Sequence, residues 1–460
     1  MERIADAPRP VYGKGFELKI LLVDKFYFIK GGAERYFFEL KEILEAHGHE
    51  VIPFSMQHPD NFETPYADYF VENIEFNGSK LQRLATAPKA AGRLIYSTQA
   101  RARIEKLIAE TRPDIAHLHM IDHQLSPSIL LGLKKFGIPI IQTVHQYKLV
   151  CPNYRLFIDR DRRICEKCLG GKFYHPILEK CHQDSRAASF LISLESYIHK
   201  WMGVYDHIDL FHVPSTFMGK KLREGGVAAQ RVRHLFYTIK LKDYPYHPQF
   251  KNYFIYFGRL SGEKGLVTLL RAMKGFKGSQ LKIVGSGPEE AKLKALAKEL
   301  HVQVEFVGSK HGEELKNIVA NARFIIVPSE WYENSPLVIY EAFALGKPVI
   351  GADIGGITEL IEPGEDGYLF PAGEASALQR CLEKLDRDES KIKRFGQAAR
   401  RKAEAWFAPE KHYEILMGWY EELLMRSQPH DVKNERTSRG ISGGTFLSTG
   451  SVARAEKDSS

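Results

Sequence analysis

Val327-Pro328-Ser329-Glu330-Trp331-Tyr332-Glu333-Asn334-Ser335-Pro336-Leu337-Val338-Ile339-Tyr340-Glu341-Ala342-Phe343-Ala344-Leu345-Gly346-Lys347-Pro348 is the stretch on which the fold turns. The apolar run Phe324 to Val327 that leads into it has the length and composition of a buried strand. Ser335 is expected to cap a following helix, with Pro336 at its first position, where a missing N–H costs nothing. Gly346 and Pro348 stop that helix, and Val349 to Ala352 supplies the next strand. A helix then begins at the carboxyl end of a parallel strand, where free N–H groups and the helix dipole favour an anion. Glu333 lies just before the helix and Glu341 within it, seven residues intervening. Alone, two glutamates at that spacing are solvated charges flanking a helix. Beside an anion site, they are suited to sugar hydroxyls.

The same alternation runs outward in both directions. Tyr253–Phe257, Leu281–Val284, Val304–Val307, Phe324–Val327 and Val349–Ala352 are strand-like in the second half. Leu18–Val23, His49–Phe54, Asp114–Leu118 and Pro139–Val144 are strand-like in the first, with a helical pattern from Ala33 to His47. Such strands between helices predict parallel sheets covered on both faces, an α/β fold. A chain of 460 residues with 44% hydrophobic content is too long for one core and suits two domains. The join is expected near Lys240 to Asn252, where Tyr244-Pro245-Tyr246-His247-Pro248 has the composition of a linker.

Loops at strand ends carry the remaining chemistry. Gly258-Arg259-Leu260-Ser261-Gly262-Glu263-Lys264-Gly265 follows a strand and sets two cations at its end, suited to the charge of a departing diphosphate. Gly31-Gly32-Ala33-Glu34-Arg35 opens the first helix and lets backbone N–H groups approach a phosphate; it is not a Gly-x-Gly-x-x-Gly dinucleotide fingerprint. His145 follows the strand ending at Val144, while His119, Asp122 and His123 follow another.

Taken together, these motifs resemble glycosyltransferase family 4, whose signature is Glu-x7-Glu at this location, over roughly residues 17 to 425. The resemblance implies a GT-B fold, two Rossmann-like doubly wound domains facing each other across a cleft. It implies an acceptor-side domain over 17–240, a nucleotide-sugar-binding domain over 241–408 and a helix over 409–426 crossing back to the first domain. It further implies retaining transfer from a nucleotide-diphosphate-sugar to a saccharide or lipid-linked acceptor in cell-surface polysaccharide synthesis, without a protein nucleophile and without a cofactor for catalysis. By similarity, Glu333 holds the donor sugar, Glu341 the ribose, and Arg259 and Lys264 the phosphates, with His145 near the sugar. Gly31, Gly32, Val307, Gly308, Asn334, Ser335, Pro336 and Leu337 complete the donor side, and His119, Asp122 and His123 line the acceptor side. Gly355-Gly356-Ile357-Thr358-Glu359 resembles the family's Gly-x-Pro-Glu turn, with Thr358 in place of Pro. A GT-B sugar-nucleotide epimerase and a non-enzymatic nucleic-acid-binding protein are the rival readings; the second leaves the glutamates and cations unexplained.

Four of the five cysteines, Cys151, Cys165, Cys168 and Cys181, fall in one excursion, 151–181. The spacing suits a structural zinc site; disulfides or unrelated thiols are the alternatives. Asp159-Arg160-Asp161 lies inside that excursion and is read as surface charge. The net charge of +8 is moderate, and no nucleic-acid partner is expected. Basic and apolar residues interleave over 79–112, a stretch suited either to peripheral membrane contact or to a solvated helix face. Residues 1–16 are polar and broken by Pro and Gly, unlike a signal peptide, and 427–460 have the composition of a disordered tail. The expected location is the cytoplasm or the inner face of the membrane.

Overall fold

The computed structural model describes residues 17–73, 92–93, 95–123 and 125–427. The expected tail 1–16, all of the expected tail 427–460 but Ser427, and residues 79–91 and 94 of the basic stretch lie outside the described residues.

The strands are Lys19–Val23 (β1), Glu50–Phe54 (β2), Ile115–Leu118 (β3), Ile140–Thr143 (β4), Phe157–Ile158 (β5), Arg163–Ile164 (β6), Leu210–Val213 (β7) and Val232–His234 (β8) in the first half. The second half has Tyr253–Phe257 (β9), Gln280–Val284 (β10), Val304–Gly308 (β11), Ile325–Val327 (β12), Val349–Ala352 (β13) and Gly367–Phe370 (β14). They form two six-stranded sheets, ordered β2-β1-β3-β4-β7-β8 and β11-β10-β9-β12-β13-β14, while β5 and β6 pair as a separate hairpin. Every pairing within the two large sheets is parallel.

The parallel arrangement follows from burial on both faces. All five residues of β9 and all four of β4 and β13 are buried, so these strands are continuous apolar runs rather than alternating ones. Helix Gly32–Ala46 buries Tyr36, Phe37, Leu40, Ile43 and Leu44, a stripe at helical spacing. Fully burying a side chain such as Leu40 contributes roughly 1.5–3 kcal/mol. The final helix, Pro409–Arg426, lies against the first sheet: Tyr420 Oη is 2.6 Å from His117 Nδ1, and His412 Nε2 is 2.9 Å from Tyr36 Oη. Among the described residues no helix is long and apolar enough to cross a membrane.

Candidate active site

Counted within its own half, the second sheet runs 3-2-1-4-5-6, with its switch point between β9 and β12. The carboxyl ends of strands at such a switch point are where open α/β sheets hold their ligands. The loop after β9 carries Arg259 and Lys264; the loop after β12 carries Glu333. Gly265 joins them. Its φ is +68°, and an added Cβ would sit 1.8 Å from the Pro328 carbonyl oxygen, so only glycine allows this approach.

Lys264 Nζ donates to Glu333 Oε1 at 2.6 Å, and Ser329 Oγ donates to the same oxygen at 2.7 Å. Glu333 is 7% exposed. Burial opposes its charge, but Lys264, with hydrogen bonds from Lys264 and Ser329, holds its carboxyl below the ordinary value of 4.5. It is therefore ionised at neutral pH. Arg259 is exposed, and among the described residues it forms no ion pair. One cation is thus tied to the glutamate while the other remains open to an anion.

Beyond that loop, the helix is Leu337–Ala344, with Pro336 as its cap residue and no side-chain cap. Ser335 was expected to cap it; instead its hydroxyl lies 2.6 Å from Tyr340 Oη, and the extended Pro336 starts the helix one residue later. Asn334 turns away from the helix toward the first domain. Its Nδ2 donates to Val144 O at 2.9 Å, and Ser215 Oγ donates to its Oδ1 at 3.0 Å. Glu341 faces the first domain as well, paired with Arg35, whose second nitrogen donates to Tyr244 Oη at 2.9 Å.

In the first domain the order β2-β1-β3-β4 puts the corresponding switch point between β1 and β3. Gly31 caps helix Gly32–Ala46 with an extended backbone, and an added Cβ on Gly32 would lie 3.4 Å from Leu337 Cδ1. The glycine pair therefore faces the start of the glutamate-bearing helix. Asp24, directly after β1, was not singled out in the sequence. It is fully buried, accepts N–H bonds from Phe26 and Met120, and has its pKa pushed up to about 8 by burial first and by Glu34 second. An acidic residue immediately after a buried apolar strand was the available signal.

His145 stands at the end of β4. Its Nε2 lies 2.9 Å from His119 Nδ1 and its Nδ1 lies 2.6 Å from Tyr237 Oη, so neither ring nitrogen is free. Burial, with His212 and Lys25 adding to it, lowers its pKa to about 3, leaving a neutral ring at neutral pH. His119 is likewise pushed well down by burial. Asp122 accepts from Gln146 Nε2, and His123 sits in the left-handed region at φ +67°. Val307 and Gly308 are on β11, the sheet edge, separated from β12 by β10 and β9. A shallow depression of about 540 Å³ lined by Gln57, His58, Pro59, Glu72 and Asn73 is elsewhere, at the β2 end of the first sheet.

The 151–181 excursion does more than flank His145. Its β5–β6 hairpin reaches the second domain: Arg155 is 3.0 Å from Glu263 and stacks over Trp331 at 4.9 Å, and Arg162 donates to Gly262 O at 2.5 Å. Asp159 and Asp161 are held by neighbouring arginines. All four cysteines are free and line one cavity of about 10 Å³, the volume of about one water-sized sphere. Their chemistry fits a structural zinc site. Their arrangement is not a finished coordination shell, since among the described residues no group of three or more His, Cys, Asp or Glu is set to hold a metal ion. In the described part of 79–112, Arg93 pairs with Glu72, Arg101 with Glu105, and Arg103 donates to the Asp68 and Phe70 carbonyls.

Residues 30–236 match the family described as Glycosyltransferase Family 4, and residues 242–402 match Glycosyl transferases group 1. A phosphatidyl-myo-inositol mannosyltransferase of Mycobacterium leprae is 24% identical over 78% of this chain and 85% of its own length. The amylovoran biosynthesis glycosyltransferase AmsK of Erwinia amylovora is 33% identical over 41% of this chain and 48% of its own length. With that transferase the match thus spans about half of the relative. The crystal structure of HepE from Anabaena in complex with UDP shares the fold, with a TM-score of 0.60 and 16% identity over 88% of this chain and all of that one.

Proposed function

The chain belongs to glycosyltransferase family 4, and from that premise we propose that it moves a sugar from a nucleotide-diphosphate-sugar to a saccharide or lipid-linked acceptor, with retention at the anomeric carbon. The observation that carries the reading is the Lys264–Glu333 contact at the switch point, with the open Arg259 beside it. A nucleotide-bound relative, HepE with UDP, and relatives named for glycolipid and polysaccharide synthesis support the same donor and acceptor classes.

Bond order follows from the charges. As the C1–O bond of the donor breaks, negative charge collects on the diphosphate, and Arg259 and Lys264 are the cations at the switch point. Fixed cations there stabilise a leaving group without reorganising. Glu333 is ionised and accepts hydroxyl hydrogens of the sugar; Glu341 accepts those of the ribose. The acceptor oxygen bonds to C1 on the face the diphosphate leaves, and its proton passes to the departing phosphate oxygen. His145, neutral and held by His119 and Tyr237, acts as a fixed wall rather than as an acid or base. Side-chain cations of the protein supply the charge that a divalent ion supplies elsewhere.

Incubation with a panel of labelled sugar nucleotides, with and without saccharide or lipid-linked acceptors, tests the reading. Transfer in one donor–acceptor pair, lowered about tenfold to hundredfold by Glu333→Gln or Glu341→Ala, is the expected result. Free-sugar release that needs no acceptor, or unchanged kinetics in both variants, refutes it.

A further inference from the structure

Helix Arg186–Trp201 is built inside out. Its buried face holds Ser189, Ser193, Glu195, Ser196 and His199 beside a single large aliphatic, Ile192. Each of those polar groups is satisfied within the protein: Ser193 and Ser196 donate to the Ser189 and Ile192 carbonyls, Glu195 pairs with Lys148 at 2.7 Å, and His199 Nε2 is 2.8 Å from Ile95 O. Its outer face carries Phe190, Leu194, Tyr197 and Trp201, spaced so that they form one stripe along the helix. They are 55%, 38%, 40% and 87% exposed. Tyr197 packs at 5.5 Å on Phe173, which leads into the short helix His175–Glu179, where Tyr174 and Leu178 are exposed too. Six of the eleven large exposed hydrophobic residues found among the described residues fall within 174–201. Such concentration marks a contact surface rather than scattered surface apolarity.

Charge indicates what covers it. Lys172, Arg186 and Lys200 are exposed around the stripe. The only carboxylate in the helix, Glu195, is buried against Lys148. Nearby Glu179 pairs with Arg163 and Lys167, and Asp184 pairs with Arg160. Apolar and aromatic groups ringed by unpaired cations match the interface of an anionic bilayer, where Trp and Tyr settle at headgroup depth and Lys and Arg meet phosphates. A second copy fits less well, because a two-fold antiparallel pairing of this helix brings Arg186 toward Lys200 of the other copy.

We infer that helix Arg186–Trp201, with Tyr174 and Leu178, is a docking face for an anionic lipid bilayer. Docking involves no transfer chemistry, so it stands whether or not the donor assignment does. Tyr174 and Leu178 belong to the excursion whose Arg155 and Arg162 contact Glu263 and Gly262 of the second domain.

Sedimentation of the full chain with vesicles tests this without any sugar nucleotide. Vesicles containing phosphatidylglycerol should capture the protein, phosphatidylcholine vesicles much less, and added salt should release it. The double variant Phe190→Glu, Trp201→Glu should partition about tenfold less or weaker still, with an unchanged melting temperature, since both rings are exposed. Trp201→Phe should remove the blue shift of tryptophan emission seen on adding anionic vesicles. Failure of the wild-type chain to bind, or equal binding by the double variant, overturns the inference. A lipid-free dimer that the double variant dissociates overturns it also, by giving the face to a second copy.

Discussion

Lys264→Ala separates the two duties of one cation, holding Glu333 and meeting the donor diphosphate. In the free protein its ammonium is 2.6 Å from a carboxylate that is 7% exposed. Removing one partner of a fully buried pair costs about 3–5 kcal/mol, because the other charge is left without compensation. Two facts reduce that here: the lysine side chain is 24% exposed, and Ser329 still donates to the same carboxylate oxygen. A loss of about 2–3 kcal/mol in stability is expected. The pH profile should change with it. Glu333 is held below 4.5, so its pairing contributes fully above that value and is lost as pH falls through the lower, folded value. Without Lys264, burial is left to raise the carboxyl pKa above its unfolded value, protonation then favours the folded state, and the variant's stability deficit should be largest near neutral pH and shrink as pH falls through the raised value. Nucleoside diphosphate affinity should fall about tenfold to hundredfold, the worth of a charged hydrogen bond, whereas affinity for the bare nucleoside should hardly move. Thermal melts from pH 3 to 8, at about one-unit steps across the carboxylate range, and calorimetry with both ligands read these effects. Equal losses for nucleoside and nucleoside diphosphate, together with a stability deficit that does not shrink on acidification, refute the reasoning.

Other expectations follow from the same geometry. Arg35→Met leaves Glu341, 6% exposed, without its cation across the cleft; melting should show about 1–3 kcal/mol lost, and Arg35→Lys should recover only part because it cannot bond Glu341 and Tyr244 together. Gly265→Ala puts a methyl against the Pro328 carbonyl at positive φ, which should cost more than about 1 kcal/mol and weaken diphosphate binding by moving Lys264. If the cysteine cavity takes zinc, protein purified under reducing conditions carries about one ion per chain, and Cys165→Ser releases it while exposing the excursion to protease. Elemental analysis that finds no zinc ends that reading.

Several of these features were legible in the sequence. Val349–Ala352 and Tyr253–Phe257 coincide with strands at both ends, because short runs led by β-branched and aromatic residues between breakers are too short for a helix. The β5–β6 hairpin, β7, β8 and β14 were not anticipated; β7, Leu-Phe-His-Val, is a buried run of only four residues interrupted by a histidine. β8 is a half-exposed edge of three residues, Val-Arg-His, with little apolar signal. β14, Gly-Tyr-Leu-Phe, follows only a short turn after the brief helix Ile357–Leu360. The cap at Ser335 was misjudged because the hydroxyl found Tyr340, five residues on, a partner visible only once the helix is wound.

The sequence by itself determined which side chains stand at strand ends, because strand, loop and helix are written in local periodicity and in Gly and Pro punctuation. Glu333, Lys264, Arg259 and Glu341 could be named from it for that reason. Their pairings could not. Lys264 meets Glu333 across 69 residues and Arg35 meets Glu341 across 306, distances over which no local pattern reports. Strand order decided the first contact, by setting β12 next to β9, and packing of one domain on the other decided the second. Tertiary structure alone also turned the apolar side of Arg186–Trp201 outward. In sequence that helix is ordinarily amphipathic, and only the position of Lys148, Ile95 and the first-domain core determines which of its faces meets solvent.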